Sequence, residues 1–427
     1  MRPNGYVSVV WLAVTIAFVG CGGGSPRTNT PPPTGLKKRV LLSNQQLNTV
    51  HLLNAEKDIF TTKNFTINTP AKLVTAGGQT AVLESAQPAI TIIDNAKESV
   101  TGAGALDDQP VDIAITSDGK TAFAAERNVG EVRFVNTADA TVSPIILHVP
   151  TARRLVMSPN GTKLLAFSDP QTQITNTFFV IDTVNKTVAS VTGPQLDQPI
   201  TAVFGASDTQ AFILNCAGEC GSTHGANIPN DASVVSVDFS GVFASPAVPA
   251  TFSAVVPVPG GATSGLLSGG NLFVAGTPQG PNALTGPGAA CPLSRCGALT
   301  TVNTGNLTAG TPVPITDGMH QKMALTNSRL YIGAGSCTVD PGSAANTVRG
   351  CLTIFNTATQ TTKFPQQLSF RQDFDVTGLQ PISNRSVIYV VQGGELDIFD
   401  TTTDAITTGI TQLDVIGKAI DVVQIDP

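Results

Sequence analysis

Eight short runs of apolar and β-branched residues recur along this chain, and each ends in a single Asp or Asn: Asn54, Asp94, Asn136, Asp182, Asp238, Asn303, Asn356 and Asp400. The runs read TVHLLN, ITIID, EVRFVN, TFFVID, VVSVD, LTTVN, LTIFN and LDIFD. Their β-branched and aromatic side chains favour extended backbone over helix. The ends recur at intervals of about 40 to 65 residues, so each run is predicted to be one strand of a repeated sheet. A short polar side chain at a strand end can hydrogen-bond the backbone two positions on and start a turn. That accounts for the Asp or Asn without any chemistry.

The rest of the unit is clearest in the third repeat. Pro110 to Thr116 is predicted as a first strand, Ser117-Asp118-Gly119-Lys120 as a tight turn and Thr121 to Ala125 as a second strand, with Glu131 to Asn136 third and Val142 to Leu147 fourth. The turn returns as Ser158-Pro159-Asn160-Gly161, and Asp-Gly or Asn-Gly supplies the positive φ that hairpin turns demand. Four-stranded antiparallel units repeated around a ring make an all-β fold, the β-propeller. Eight third strands imply eight blades, with seven as the alternative. The chain starts on a second strand at residues 39–43 and ends on a spare first strand at residues 419–425, so the last strand is expected to complete the first blade and close the ring.

The passage from Ala81-Val82-Leu83-Glu84 to Ile90-Thr91-Ile92-Ile93-Asp94, with the Ser-Asp-Gly-Lys and Ser-Pro-Asn-Gly turns, resembles the YVTN-type β-propeller repeats of bacterial surface and periplasmic proteins. The resemblance covers essentially all of residues 38–427 and rests on turn and core positions, so it implies a fold more than a function. The family includes surface-layer proteins and relatives of lactone-hydrolysing propellers. Long Gly-, Pro- and Cys-rich insertions in blades five to seven depart from the plain repeat.

The N-terminus has a different character. Arg2 precedes an apolar stretch from Tyr6 to Val19 that is too short to span a bilayer, and Phe18-Val19-Gly20-Cys21 follows. The segment resembles a bacterial lipoprotein signal, which implies lipid attachment at Cys21; the alternative is an ordinary secretory signal with an incidental Cys. Gly22 after Cys21 resembles the pattern sent on to the outer membrane. Residues 22–35, GGGSPRTNTPPPTG, carry too little apolar surface to fold and are expected to form a tether. The organisation is therefore a signal peptide at 1–20, a lipidated Cys with tether at 21–37 and a propeller at 38–427, held at the cell envelope outside the cytoplasm.

Charge is sparse at 13% of residues, the net value is −6, and no basic stripe occurs, so nucleic acid is not an expected partner. Trp11, within the signal, is the only Trp, which disfavours sugar-stacking surfaces and quinone-dependent dehydrogenase propellers. Beyond Cys21, the cysteines arrive as three close couples, Cys216 with Cys220, Cys291 with Cys296 and Cys337 with Cys351, each between the second and third strands of a different blade. Local disulfides and an oxidising compartment are the economical assignment; zinc is the alternative for the first two couples.

His51, His148, His224 and His320 show no paired-ligand spacing, and no Ser elbow or phosphate-cradling Gly loop appears. No cofactor, metal site or catalytic set is expected. The insertions at 215–231, 276–295 and 335–350 should cluster on one face, bringing Glu219, His224, Arg295, Asp340 and Arg349 onto neighbouring stapled loops. This face is the expected binding surface for a protein or small molecule. The chain is thus expected to be a non-enzymatic binding or scaffolding module. The alternative is a lactonase-like hydrolase of small esters at the central channel, with a partial acidic ring built from Asp112 and Asp421 at a shared register.

Overall fold

The computed structural model describes residues 32–172, 174–220, 232–258, 261–277, 297–337, 351–365, 375–407, 412–413 and 415–426. Eight antiparallel sheets follow one another in chain order, each with four strands running from the inside of the unit outward, as an eight-bladed propeller requires. The inner strands of blades 2 to 8 are Pro70–Ala76, Pro110–Ile115, Ala152–Met157, Pro199–Phe204, Ser264–Ser268, Met319–Thr326 and Val376–Pro381. Blade 1 takes its inner strand from the C-terminus: Ala419–Gln424 pairs with Arg39–Asn44, with Leu42 opposite Val422. The expected closure of the ring by the last strand is what the structure shows.

All eight strand-ending Asp and Asn residues are third-strand ends, and each side-chain oxygen accepts a backbone N–H of the following turn. Asn54 accepts from Glu56 at 3.0 Å, Asp182 from Val184 at 2.9 Å, Asp238 from Ser240 at 2.8 Å and Asp400 from Thr402 at 2.7 Å. Asn136, Asn303 and Asn356 make the same bond two residues on, while Asp94 reaches Lys97, three residues on. Turn initiation is thus their role.

The core lies between the blades. Eight buried apolar clusters occur among the described residues, each shared by two adjacent sheets. In the strand Gln79–Glu84, Ala81 and Leu83 pack toward blade 3 and Val82 toward blade 1. Both faces are buried, which is why the strands read as continuous apolar runs rather than alternating ones. The closing cluster joins Val40, Leu42 and Leu53 of blade 1 to Tyr389, Val391 and Ile398 of blade 8.

The outer strands differ from expectation. In blade 3 only Leu147–His148 forms the fourth strand, preceded by a single bridge between Val135 and Val142. Pro144 lies within the predicted strand and has no N–H to give to the ladder. Outer strands in blades 5, 6 and 8 are likewise split into two short pieces. These edges have one paired neighbour only, so interruption costs little there.

Candidate functional site: the mouth of the central channel

Seven inner strands carry a β-bulge at the same register. The extra residues are Ala71, Val111, Arg153, Ile200, Gln321, Thr377 and Ile420. With Thr263 of blade 6 they line one cavity of about 540 Å³, so every blade contributes to it. A bulge re-aims the side chains beside it. Here it brings Lys72, Asp112, Arg154, Thr201 and Lys322 to the same cavity wall. The cavity opens on the face of the loops between second and third strands, from which Arg127, Ser168, Asp169 and Gln171 also reach it.

The electrostatics of the wall follow from packing between blades. Asp112 pairs with Lys72 Nζ and accepts the Leu155 N–H of the next inner strand at 2.8 Å. Asp421 repeats the arrangement: it pairs with Lys322 Nζ at 2.8 Å and accepts the Leu73 N–H at 3.0 Å. Each carboxylate thus satisfies an inner-strand amide of the neighbouring blade. Burial acts to raise the Asp112 pKa, but the charges of Lys72 and Arg154 outweigh it and hold the group below the ordinary carboxylate range. Asp169, on the loop of blade 4, pairs with Arg127 and, at 3.3 Å, with Arg153. The Arg154 side chain has no hydrogen-bond or ion-pair partner among the described residues, and it lines both this cavity and a second, inner one of about 270 Å³.

The shared register of Asp112 and Asp421 is as the sequence implied, yet the wall is mixed rather than acidic. Asp375, just before the inner strand of blade 8, accepts the Ser336 N–H at 2.5 Å. The described residues hold one carboxylate cluster, Asp107, Glu126 and Glu131, within 4.8 Å of one another. Arg133 pairs with Asp107 and stands 3.9 Å from Glu131, so a cation already occupies that cluster.

His320 is the residue the spacing did not single out. Its register is occupied by Pro70, Pro110, Ala152, Pro199, Val376 and Ala419 in other blades, all small or apolar. The imidazole is 1% exposed, Nε2 donates to the Thr316 carbonyl at 2.9 Å, and Nδ1 has no partner. Burial pushes its pKa down to about 4, so the ring is neutral at pH 7. Gly297 makes room: a Cβ there would lie 2.8 Å from Cε1 of the ring. An alignment of the inner strands would have exposed His320 as the one titratable group in its column.

The loop-face residues fare differently. Cys216–Cys220 and Cys337–Cys351 are bridged, each with 5.6 Å between Cα atoms, at the roots of the loops on blades 5 and 7. Cys291, Cys296, His224, Arg295, Asp340 and Arg349 lie outside the described residues, as does Cys21. Glu219 falls in the short 3₁₀ turn Ala217–Cys220.

No protein-family model matches the chain, and no curated protein matches it in sequence. Solved structures are similar in fold. "Dihydro-heme d1 dehydrogenase NirN in complex with DHE" matches with TM-score 0.66 at 9% identity, over 92% of this chain and 77% of that one. The computationally designed Ika8 protein matches with TM-score 0.52 at 10% identity, over 82% and 90%. BamB from Moraxella catarrhalis matches with TM-score 0.50 at 11% identity, over 82% and 89%. At such identities the likeness is one of fold alone. The class is therefore an eight-bladed β-propeller.

Proposed function

We propose that this chain is a lipid-anchored, extracytoplasmic β-propeller that acts as a non-enzymatic binding or scaffolding module. The observation that carries the reading is that disulfides stand at the roots of the second-to-third-strand loops of blades 5 and 7. Such rooting reduces the entropy lost when a loop engages a partner. Glu219, His224, Arg295, Asp340 and Arg349 are its proposed contacts. Disulfides agree with an oxidising compartment. Among the described residues no helix is long and apolar enough to cross a membrane. The proposed anchor is a lipid on Cys21, which the resemblance of residues 1–21 to a lipoprotein signal implies.

Three experiments test this reading. Deleting residues 221–230 should reduce recovery of envelope components on the immobilised protein while the melting temperature stays within a few degrees, since the sequence GSTHGANIPN offers little apolar surface to bury. Undiminished recovery would remove the loop face from consideration. Replacing Cys21 with Ser should shift the protein from the membrane fraction to an unprocessed or soluble form, because only the thiol takes the lipid. Unchanged fractionation would refute the anchor. A lactonase-like hydrolase would need a channel-bound divalent ion, but Asp112 and Asp421 are already held by Lys72 and Lys322. Metal analysis of the purified chain should find no stoichiometric divalent ion.

A further inference from the structure

We infer that the channel mouth binds a small organic oxyanion, a carboxylate or a phosphate, with Arg154 as its principal charge partner. The inference refines the binding reading above by naming a ligand class, and it stands on channel side chains rather than on the loops. Among the described residues, five cationic groups line the mouth (Lys72, Arg127, Arg153, Arg154 and Lys322). Three carboxylates offset them: Asp112, Asp169 and Asp421. Two positive charges therefore remain in excess, in a chain whose net charge is −6.

One of the two arises because Arg127 and Arg153 share Asp169, and the other is Arg154. Lys72 and Lys322 each have a carboxylate and Arg127 and Arg153 share one, whereas Arg154 has none within ion-pair distance among the described residues and sits half-buried at the junction of the two chambers. A half-buried guanidinium with open donors is a strong oxyanion partner, because its fork matches two oxygens at once and the surrounding protein screens it less than water would. Across the channel, the Thr377 hydroxyl is buried without a hydrogen-bond partner. The cavity of about 540 Å³ is within the range of small-molecule sites.

The test is calorimetric titration of the full chain, in neutral detergent, with citrate and separately with inorganic phosphate, at low and at high salt. Saturable binding of at least one probe is expected, weakening as salt rises. Arg154→Gln should lower that affinity at least about tenfold, equivalent to about 1.4 kcal/mol, and Arg154→Lys should restore part of it. Citrate binding without phosphate binding, or the converse, assigns the anion class within the proposal. Absence of saturable binding of both probes, or equal affinity in Arg154→Gln, overturns it. Should Arg154→Gln not melt cooperatively, the salt series on the unaltered chain decides: an affinity that does not fall with salt overturns the proposal. Deletion of 221–230 should leave the titration unchanged, so the loop reading and this one can fail separately.

Discussion

Truncation of the chain after Lys418 should abolish cooperative folding. The removed strand, Ala419–Gln424, is the inner strand of blade 1, and it carries the fully paired edge against Arg39–Asn44. Buried Ala419 and Val422 leave the seam cluster with it. Full burial of one side chain of the size of Val contributes about 1.5–3 kcal/mol. Loss of Asp421 strands Lys322 and the Leu73 N–H, and breaking a buried ion pair costs about 3–5 kcal/mol, less here because Lys322 is partly exposed. The end of the chain also holds a clasp: Asp426 takes Arg39 through Nη2 at 2.7 Å and Nε at 2.8 Å. Arg39 in turn reaches Glu98 of blade 2 at 3.0 Å. These losses together approach the whole stability of an ordinary domain, about 5–15 kcal/mol. Thermal melting by circular dichroism checks the outcome. A sharp transition in the truncated chain would show that the ring holds without its closing strand. Asp421→Ala alone should lower stability by about 2–4 kcal/mol, leaving a cooperative but earlier transition.

Between pH 6.5 and 4 the unaltered chain should lose roughly 3 kcal/mol of stability through His320 alone. The sign follows from proton uptake. Unfolded, the imidazole takes a proton near its ordinary pKa of 6.5; folded, it refuses one until about pH 4. As pH falls through that window the unfolded chain binds the extra proton, so folding weakens, and the loss is complete below the folded value. Buried Glu84 and Glu126, whose pKa values are raised by burial, act in the opposite sense by holding protons in the folded state. A comparison of variants separates the contributions. His320→Val places at this register the residue type found at Val376, and its denaturant-unfolding stability should fall less steeply over the same pH range. It should also be less stable at pH 7 by about 1–3 kcal/mol, since the Thr316 carbonyl loses its donor. Parallel pH profiles for the two chains would place the titration elsewhere.

The blade number, the turns and the ring closure were legible because each depends on local preference repeated eight times. Asn54 and Asp400 start their turns through side-chain bonds that span two residues, and a spare first strand at the C-terminus has only one vacancy to fill. The fourth strand of blade 3 was overextended because its apolar residues outweighed Pro144 in the pattern, whereas the missing N–H decided the pairing.

The channel wall was not legible, apart from the register shared by Asp112 and Asp421. Which side chain reaches the axis depends on where the bulge falls, and a one-residue shift in a strand sends every following side chain to the other face. Lys72 meets Asp112 across 40 residues, and Lys322 meets Asp421 across 99. Neither pairing has a local signature, because ring geometry alone brings those blades together. The chain by itself therefore determined a closed eight-bladed ring through short-range hydrogen bonding and apolar periodicity. The tertiary structure decided which charges are neutralised, that Arg154 has no carboxylate partner among the described residues, and that His320 is too buried to take a proton at neutral pH.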